Sequence, residues 1–215
     1  MTLPLLLTWL SPAFPTGAYA YSHGIEWAVE TRDVLDEATT AAWVADVLEH
    51  GAAWTDAILL RHAHRARDAS TLGAIADLAA AVQPGAERRM ETLAQGTAFA
   101  LAARVWGAPL LATLPDQVAY PVAVGVLAAA HGVAEEDAVV GMLHAITANL
   151  VSAAVRLVPL GQTAGLRILA GLAPLVTSLA AATARATLDD VGGACFRSDV
   201  ASMRHETQYT RLFRT

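Results

Sequence analysis

Apolar residues recur along this chain at three- and four-residue spacing, and no stretch alternates convincingly as a strand would. That pattern constrains the fold more than any other feature. A period near 3.6 places side chains on one face of a helix, whereas a strand needs a period of two. From Asp36 to about Ala69, the residues Trp43, Val44, Val47, Leu48, Gly51, Trp54, Ile58 and Leu59 form one such stripe. The spacing predicts a single long helix there, with Asp36 as its N-cap.

The same reading continues downstream. A shorter helix starts near Ser70 and stops at Gln83-Pro84-Gly85, where helix breakers cluster. The next runs from about Ala86 to Trp106, ended by Gly107 and Pro109. Pro121 suits the first turn of a helix ending at His131-Gly132. Glu135, Glu136 and Asp137 suit the positive end of one that continues to about Val158. A last helix, Gln162 to about Ala186, contains Pro174 and is expected to bend there. The expected architecture is all-α: one helical bundle over 1–215, opened by a non-helical Pro/Gly-rich segment (1–22) and closed by a flexible tail (189–215).

Composition narrows the function. Hydrophobic residues make up 55% and charged residues 16%, enough for a sizeable core with apolar surface left for an interface. The net charge of −6 argues against nucleic acid as the main partner. There is no lysine, which excludes a Schiff-base lysine and a P-loop lysine together. The single Cys195 fits a reducing compartment. The opening MTLPLLLTWL is too short to span a bilayer and has no basic leader. A cytoplasmic protein without a membrane anchor is expected.

Several residues suggest chemistry and read more plainly as structure. His62 and His64 stand two apart, so on a helix they point away from each other and cannot share a metal. Asp46 and His50, with Glu49 beside them, lie on adjacent helical positions. An all-α metal-dependent hydrolase using Asp46, Glu49 and His50 with a distant His131 or His144 is the alternative reading. Ser22-His23 lacks the strand–turn–helix frame of a nucleophile elbow.

Two features are more informative. SPAFPTGAYAYSHGIE, from Ser11 to Glu26, packs prolines, glycines, tyrosines and polar side chains such as Ser22, His23 and Glu26 into a passage too short for a core element. From Arg197 onward the chain carries Arg197, Arg204, Arg211 and Arg214 against Asp199 and Glu206, with Tyr209, Leu212 and Phe213 as apolar anchors. A basic segment with such anchors suits ordering against a partner.

Three blocks together resemble the UreF family of urease accessory proteins. The first is Ser11-Pro12, Phe14-Pro15, Gly17, Tyr19, Tyr21-Ser22, Gly24 and Glu26, similar to the family's SPxxPxGxxxYSxGLE. The second is Arg156 with Pro159-Leu160-Gly161-Gln162. The third is His205-Glu206, Tyr209 and Arg211-Leu212-Phe213, similar to HExxYxRLFxS. RRMETLAQG, Arg88 to Gly96, is a weaker fourth match. Ala18, Ala20, Ile25, Leu166 and Thr215 depart from the family pattern, which puts single hydrogen bonds in doubt.

The resemblance implies an all-helical, homodimeric maturation factor without catalytic activity. It implies binding to UreD (also called UreH) and to the GTPase UreG, and delivery of nickel to the urease apoprotein. Nickel is then expected to pass by transient contacts, with no permanently bound cofactor and no fixed metal site. Tyr19, Tyr21, Ser22, His23, Glu26, Arg156 and Gln162 are expected to face the GTPase, held on a surface. Arg204, His205, Glu206, Tyr209, Arg211, Leu212 and Phe213 are expected to order on UreD. Pro12, Pro15, Gly17, Gly24, Pro159 and Gly161 are expected to shape the turns. An arginine-finger role for Arg156 is the lesser reading beside helix-end capping.

Overall fold

The computed structural model describes residues 2–215, and the chain is all-α, as the periodicity predicts. The described residues form α1 (Leu3–Trp9), α2 (Ile25–Glu30), α3 (Glu37–His50), α4 (Ala52–Arg65) and α5 (Ala69–Ala81). There follow α6 (Ala86–Ala103), α7 (Tyr120–Ala130), α8 (Glu135–Leu157), α9 (Gln162–Ala182) and α10 (Phe196–His205). Asp36 caps α3 in a reciprocal box with Thr39, and Asp68 caps α5 through the Thr71 amide.

The apolar α7 is the centre of the bundle. Residues 121–128 are all buried, and α4, α6 and α8 pack around them. α4 approaches closely because Gly125 has no side chain: a Cβ there would stand 2.4 Å from the Leu60 carbonyl oxygen. α8 and α9 are long and apolar enough to cross a membrane, yet they pack on each other and on α3, as core helices do.

The helix predicted over 36–69 is two helices. Gly51 adopts an extended conformation between α3 and α4, although the apolar stripe runs straight across it. The break makes room for the chain beyond α9: the Ala194 amide donates to the His50 carbonyl at 2.7 Å. A periodic stripe reports a buried face and carries no signal for such a distant intrusion.

Glu135 and Glu136 do more than favour a helix N-terminus. The fully buried Arg61 donates to Glu135 at 2.6 Å, to Glu136 at 2.5 Å and to the Ala180 carbonyl at 2.5 Å. Arg65 pairs with Glu135 as well, so two guanidiniums meet two carboxylates and α4, α8 and α9 are tied together.

Both ends of the chain correct the expectation. The opening segment is not non-helical. It begins with α1 and is pinned by Trp9, edge-on to Trp106 at 5.9 Å, and by Phe14, 5.1 Å from Phe99. The tail is folded against the bundle. Residues 196–205 are α10, and residues 206–215 fold back onto the bundle with Phe213 and Thr215 buried. α10 lacks the usual signature because its buried face is Ser198, Ala201, Ser202 and His205. Its apolar residues Phe196, Val200 and Met203 face solvent instead.

Candidate functional site

The tight turn before α2 determines what Glu26 can reach. His23 and Gly24 both have positive φ, 57° and 79°. A Cβ at Gly24 would lie 2.8 Å from the Ser202 amide nitrogen, so glycine is required by conformation and by space. The turn lets α10 sit against α2 and aims Glu26 inward.

Glu26 is 8% exposed, and its carboxylate receives the tail. The Leu212 amide donates to Oε1 at 2.6 Å and the Phe213 amide donates to Oε2 at 2.8 Å. The same Oε2 stands 3.1 Å from His205 Nε2. Ser22 meets the last turn of the tail, its amide donating to the Thr215 carbonyl at 2.9 Å and its hydroxyl to the same oxygen.

The other side of the tail is held by α6. Glu87 Oε2 lies 2.8 Å from His205 Nδ1, and Glu87 Oε1 accepts from Arg211 at 3.0 Å. Burial pushes the Glu87 carboxyl up, opposed by His205 and Arg211. Glu91 accepts from the Thr215 hydroxyl at 2.8 Å and pairs with Arg88. From α8, the Arg156 guanidinium lies 4.3 Å from the centre of the Phe213 ring, and its Nε donates to the Ser152 carbonyl at 3.2 Å. All four sequence blocks therefore meet at one docked segment.

Several expected surface residues are inside. Tyr21, Ser22, His23 and Glu26 are buried, because their partners belong to this chain: the tail, α8 and the cavity described below. Asn149 donates to the Tyr21 carbonyl at 3.3 Å. Tyr19, Arg156 and Gln162 are exposed. In the tail, His205 and Phe213 are buried, while Arg204, Glu206, Tyr209, Arg211 and Leu212 are exposed. Among the turn residues, Gly17 also takes a positive φ, 73°, Pro12 and Pro15 flank the turns closed by Phe14 and Thr16 amides, and Pro159 and Gly161 sit exposed between α8 and α9.

Beneath the turn lies a cavity of about 780 Å³. His23, Asp56, Arg88, Glu91, Gln95 and Tyr120 are among its polar lining residues. Burial pushes Asp56 up to about 7, opposed by Arg88 and reinforced by Glu91. Burial holds the His23 imidazole well below its ordinary range, and Arg88 adds to this. The Arg88 Nε is buried without a hydrogen-bond partner among the described residues. Sequence reasoning missed Asp56, Glu87, Glu91 and Tyr120. Glu91 lies within the RRMETLAQG block, which was the one available signal.

The alternative hydrolase set is not assembled. Glu49 and His50 are exposed and Asp46 half-buried, His131 packs its ring on Trp9, and His144 lines the cavity without any of the three. Among the described residues, no three His, Cys, Asp or Glu side chains stand where they could hold a metal ion. His62 and His64 reach different carbonyls, those of Ala186 and Val133. Burial pushes the Cys195 thiol up.

Fold and site thus define an all-α protein whose polar motifs converge on its own docked tail. The UreF family model matches residues 34–173. The urease accessory protein UreF of Methylobacterium sp. (strain 4-46) is 53% identical over 219 residues, covering 98% of this chain and 88% of that protein. The same-named protein of Bradyrhizobium sp. (strain BTAi1) is 52% identical over 217 residues, covering 98% and 90%. That of Rhodopseudomonas palustris (strain TIE-1) is 52% identical over 218 residues, covering 98% and 91%. The chain belongs to the UreF family.

Proposed function

We propose that this protein is a cytoplasmic urease accessory protein that works by binding partners and not by catalysis. It bridges UreD (UreH) and the GTPase UreG, and so promotes GTP-dependent nickel insertion into the urease apoprotein. The observation that carries the reading is identity above 50% over nearly the whole chain to proteins named urease accessory protein UreF. The convergence of the four motif blocks adds a physical rationale: a docked tail fixes the shape of the surface around it.

Within this reading, the GTPase faces the exposed Tyr19, Arg156 and Gln162, and the buried Tyr21–Glu26 turn supports that face from beneath. UreD takes the tail through Tyr209 and Leu212, next to the solvent-facing Phe196, Val200 and Met203 of α10. Aromatic and aliphatic anchors of this kind, ringed by Arg204, Glu206 and Arg211, suit an interface. The protein acts as a homodimer. Nickel is cargo, handled by transient contacts.

Co-purification with UreD and UreG from the same host tests the proposal, with light scattering to give the complex mass. A complex containing all three proteins is expected. Recovery of this chain alone, under conditions where UreD and UreG are soluble, overturns it.

A further inference from the structure

We propose that the segment from His205 to Thr215 is a proton-linked latch, whose docking on α2 and α6 takes up one proton at the contact between His205 and Glu87.

His205 is 0% exposed. Both of its ring nitrogens face carboxylate oxygens, Glu26 Oε2 at 3.1 Å and Glu87 Oε2 at 2.8 Å. A neutral imidazole offers one N–H and one lone pair, and a carboxylate only accepts. Two ionised carboxylates cannot both be satisfied by a neutral ring.

The surrounding donors say where the extra proton sits. Glu26 accepts backbone amides on both oxygens, so it is an acceptor only, and His205 Nε2 must donate to it. Glu87 Oε1 is taken by Arg211. The remaining contact, His205 Nδ1 to Glu87 Oε2, needs one proton between them. It rides on the ring as an imidazolium or on Glu87 as a carboxylic acid. The other ionisable groups nearby are Glu206 beside His205, and Arg88 and Glu91 on α6. Arg88 and Glu91 already pair with each other.

With the proton present, Glu26, Glu87, His205 and Arg211 sum to zero charge. Without it, the buried group carries a net negative charge and leaves a lone pair facing a carboxylate, which is costly. In the released segment His205 is solvated, and an open-chain histidine gives up its proton near pH 6.5. Above that pH, docking must take up a proton. A group whose proton is favoured in the docked state stabilises docking at low pH and less as pH rises, whichever of the two atoms holds it. One proton corresponds to about a tenfold fall in the docked-to-released ratio per pH unit.

The test uses the full chain and the variant Glu87→Gln. The glutamine carbonyl still accepts from Arg211, and its amide donates to His205 Nδ1, so the variant keeps the contacts without the proton. Hydrogen-exchange protection factors of the Leu212 and Phe213 amides are measured from about pH 6.5 to about pH 8.5. Protection is expected to fall about tenfold per pH unit in the wild type and to stay level in Glu87→Gln. Protection independent of pH in the wild type, or an equally steep fall in the variant, overturns the proposal. Should the variant fail to dock at any pH, carbon and nitrogen NMR shifts of wild-type Glu87 and His205 decide it. An imidazolium ring or a protonated Glu87 in the docked state above pH 7 supports the latch. An ionised Glu87 beside a neutral ring sinks it.

Discussion

Glu26 Oε2 and His205 Nε2 stand 3.1 Å apart although 179 residues separate them in the chain. The contact joins the first sequence block to the third, and it places the Glu26 carboxylate where two backbone amides of the tail also end. What a linear reading takes for a surface glutamate is the anchor of the tail.

Replacing that anchor therefore has a large effect. Glu26→Ala leaves two amides and a buried imidazole without their acceptor, and a loss of about 3 kcal/mol of folding stability is expected. Glu26→Gln keeps one carbonyl acceptor and is expected to lose less. Urea unfolding of both variants, compared by midpoint at constant slope, checks the order.

Gly24→Ala is expected to cost about 2 kcal/mol or more. The alanine must hold a φ of 79° and place a Cβ 2.8 Å from the Ser202 amide. A lowered Tm together with increased proteolysis of α10 is the expected result.

Asp56 makes stability fall with pH. Its ordinary value of 3.8 is raised by burial to about 7, so between those pH values the folded chain binds more protons than the open one. The protonated carboxyl is the form the fold prefers, and its advantage is lost as pH rises toward 7, with a ceiling of about 4 kcal/mol. Asp56→Asn is expected to flatten that slope and to be more stable than the wild type above pH 7. Denaturant titrations at several pH values measure both.

Removing residues 207–215 is expected to destabilise the bundle as well as abolish UreD binding, because Phe213 and Thr215 are buried in this chain. Tyr209→Ala and Leu212→Ser separate the two effects. Both side chains are exposed, so stability should change by less than about 0.5 kcal/mol. Pull-down of UreD by these variants is expected to weaken several-fold.

Arg156→Ala removes the guanidinium over Phe213, a contact worth about 0.5–1 kcal/mol at an exposed site. Loss of UreG from the purified complex, with UreD retained, is the expected outcome. Retention of both partners in wild-type amounts excludes Arg156 from the GTPase face.

Much of this protein is determined locally. The cap at Asp36, Pro121 in a first turn and the approximate bounds of α5, α6, α8 and α9 follow from residues within a few positions of one another, so sequence alone places them. The motif blocks that resemble the UreF family are legible for the same reason. Tertiary structure decided the rest. The break at Gly51 depends on Ala194 reaching His50. The orientation of α10 depends on Gly24 admitting a face of small and polar residues, the reverse of what hydrophobicity suggests. The burial of Ser22, Glu26 and His205 depends on donors and acceptors more than 110 residues away. Spacing shows which side chains share a helix face. It does not show what covers that face, and a polar side chain goes inside only when a distant partner satisfies it.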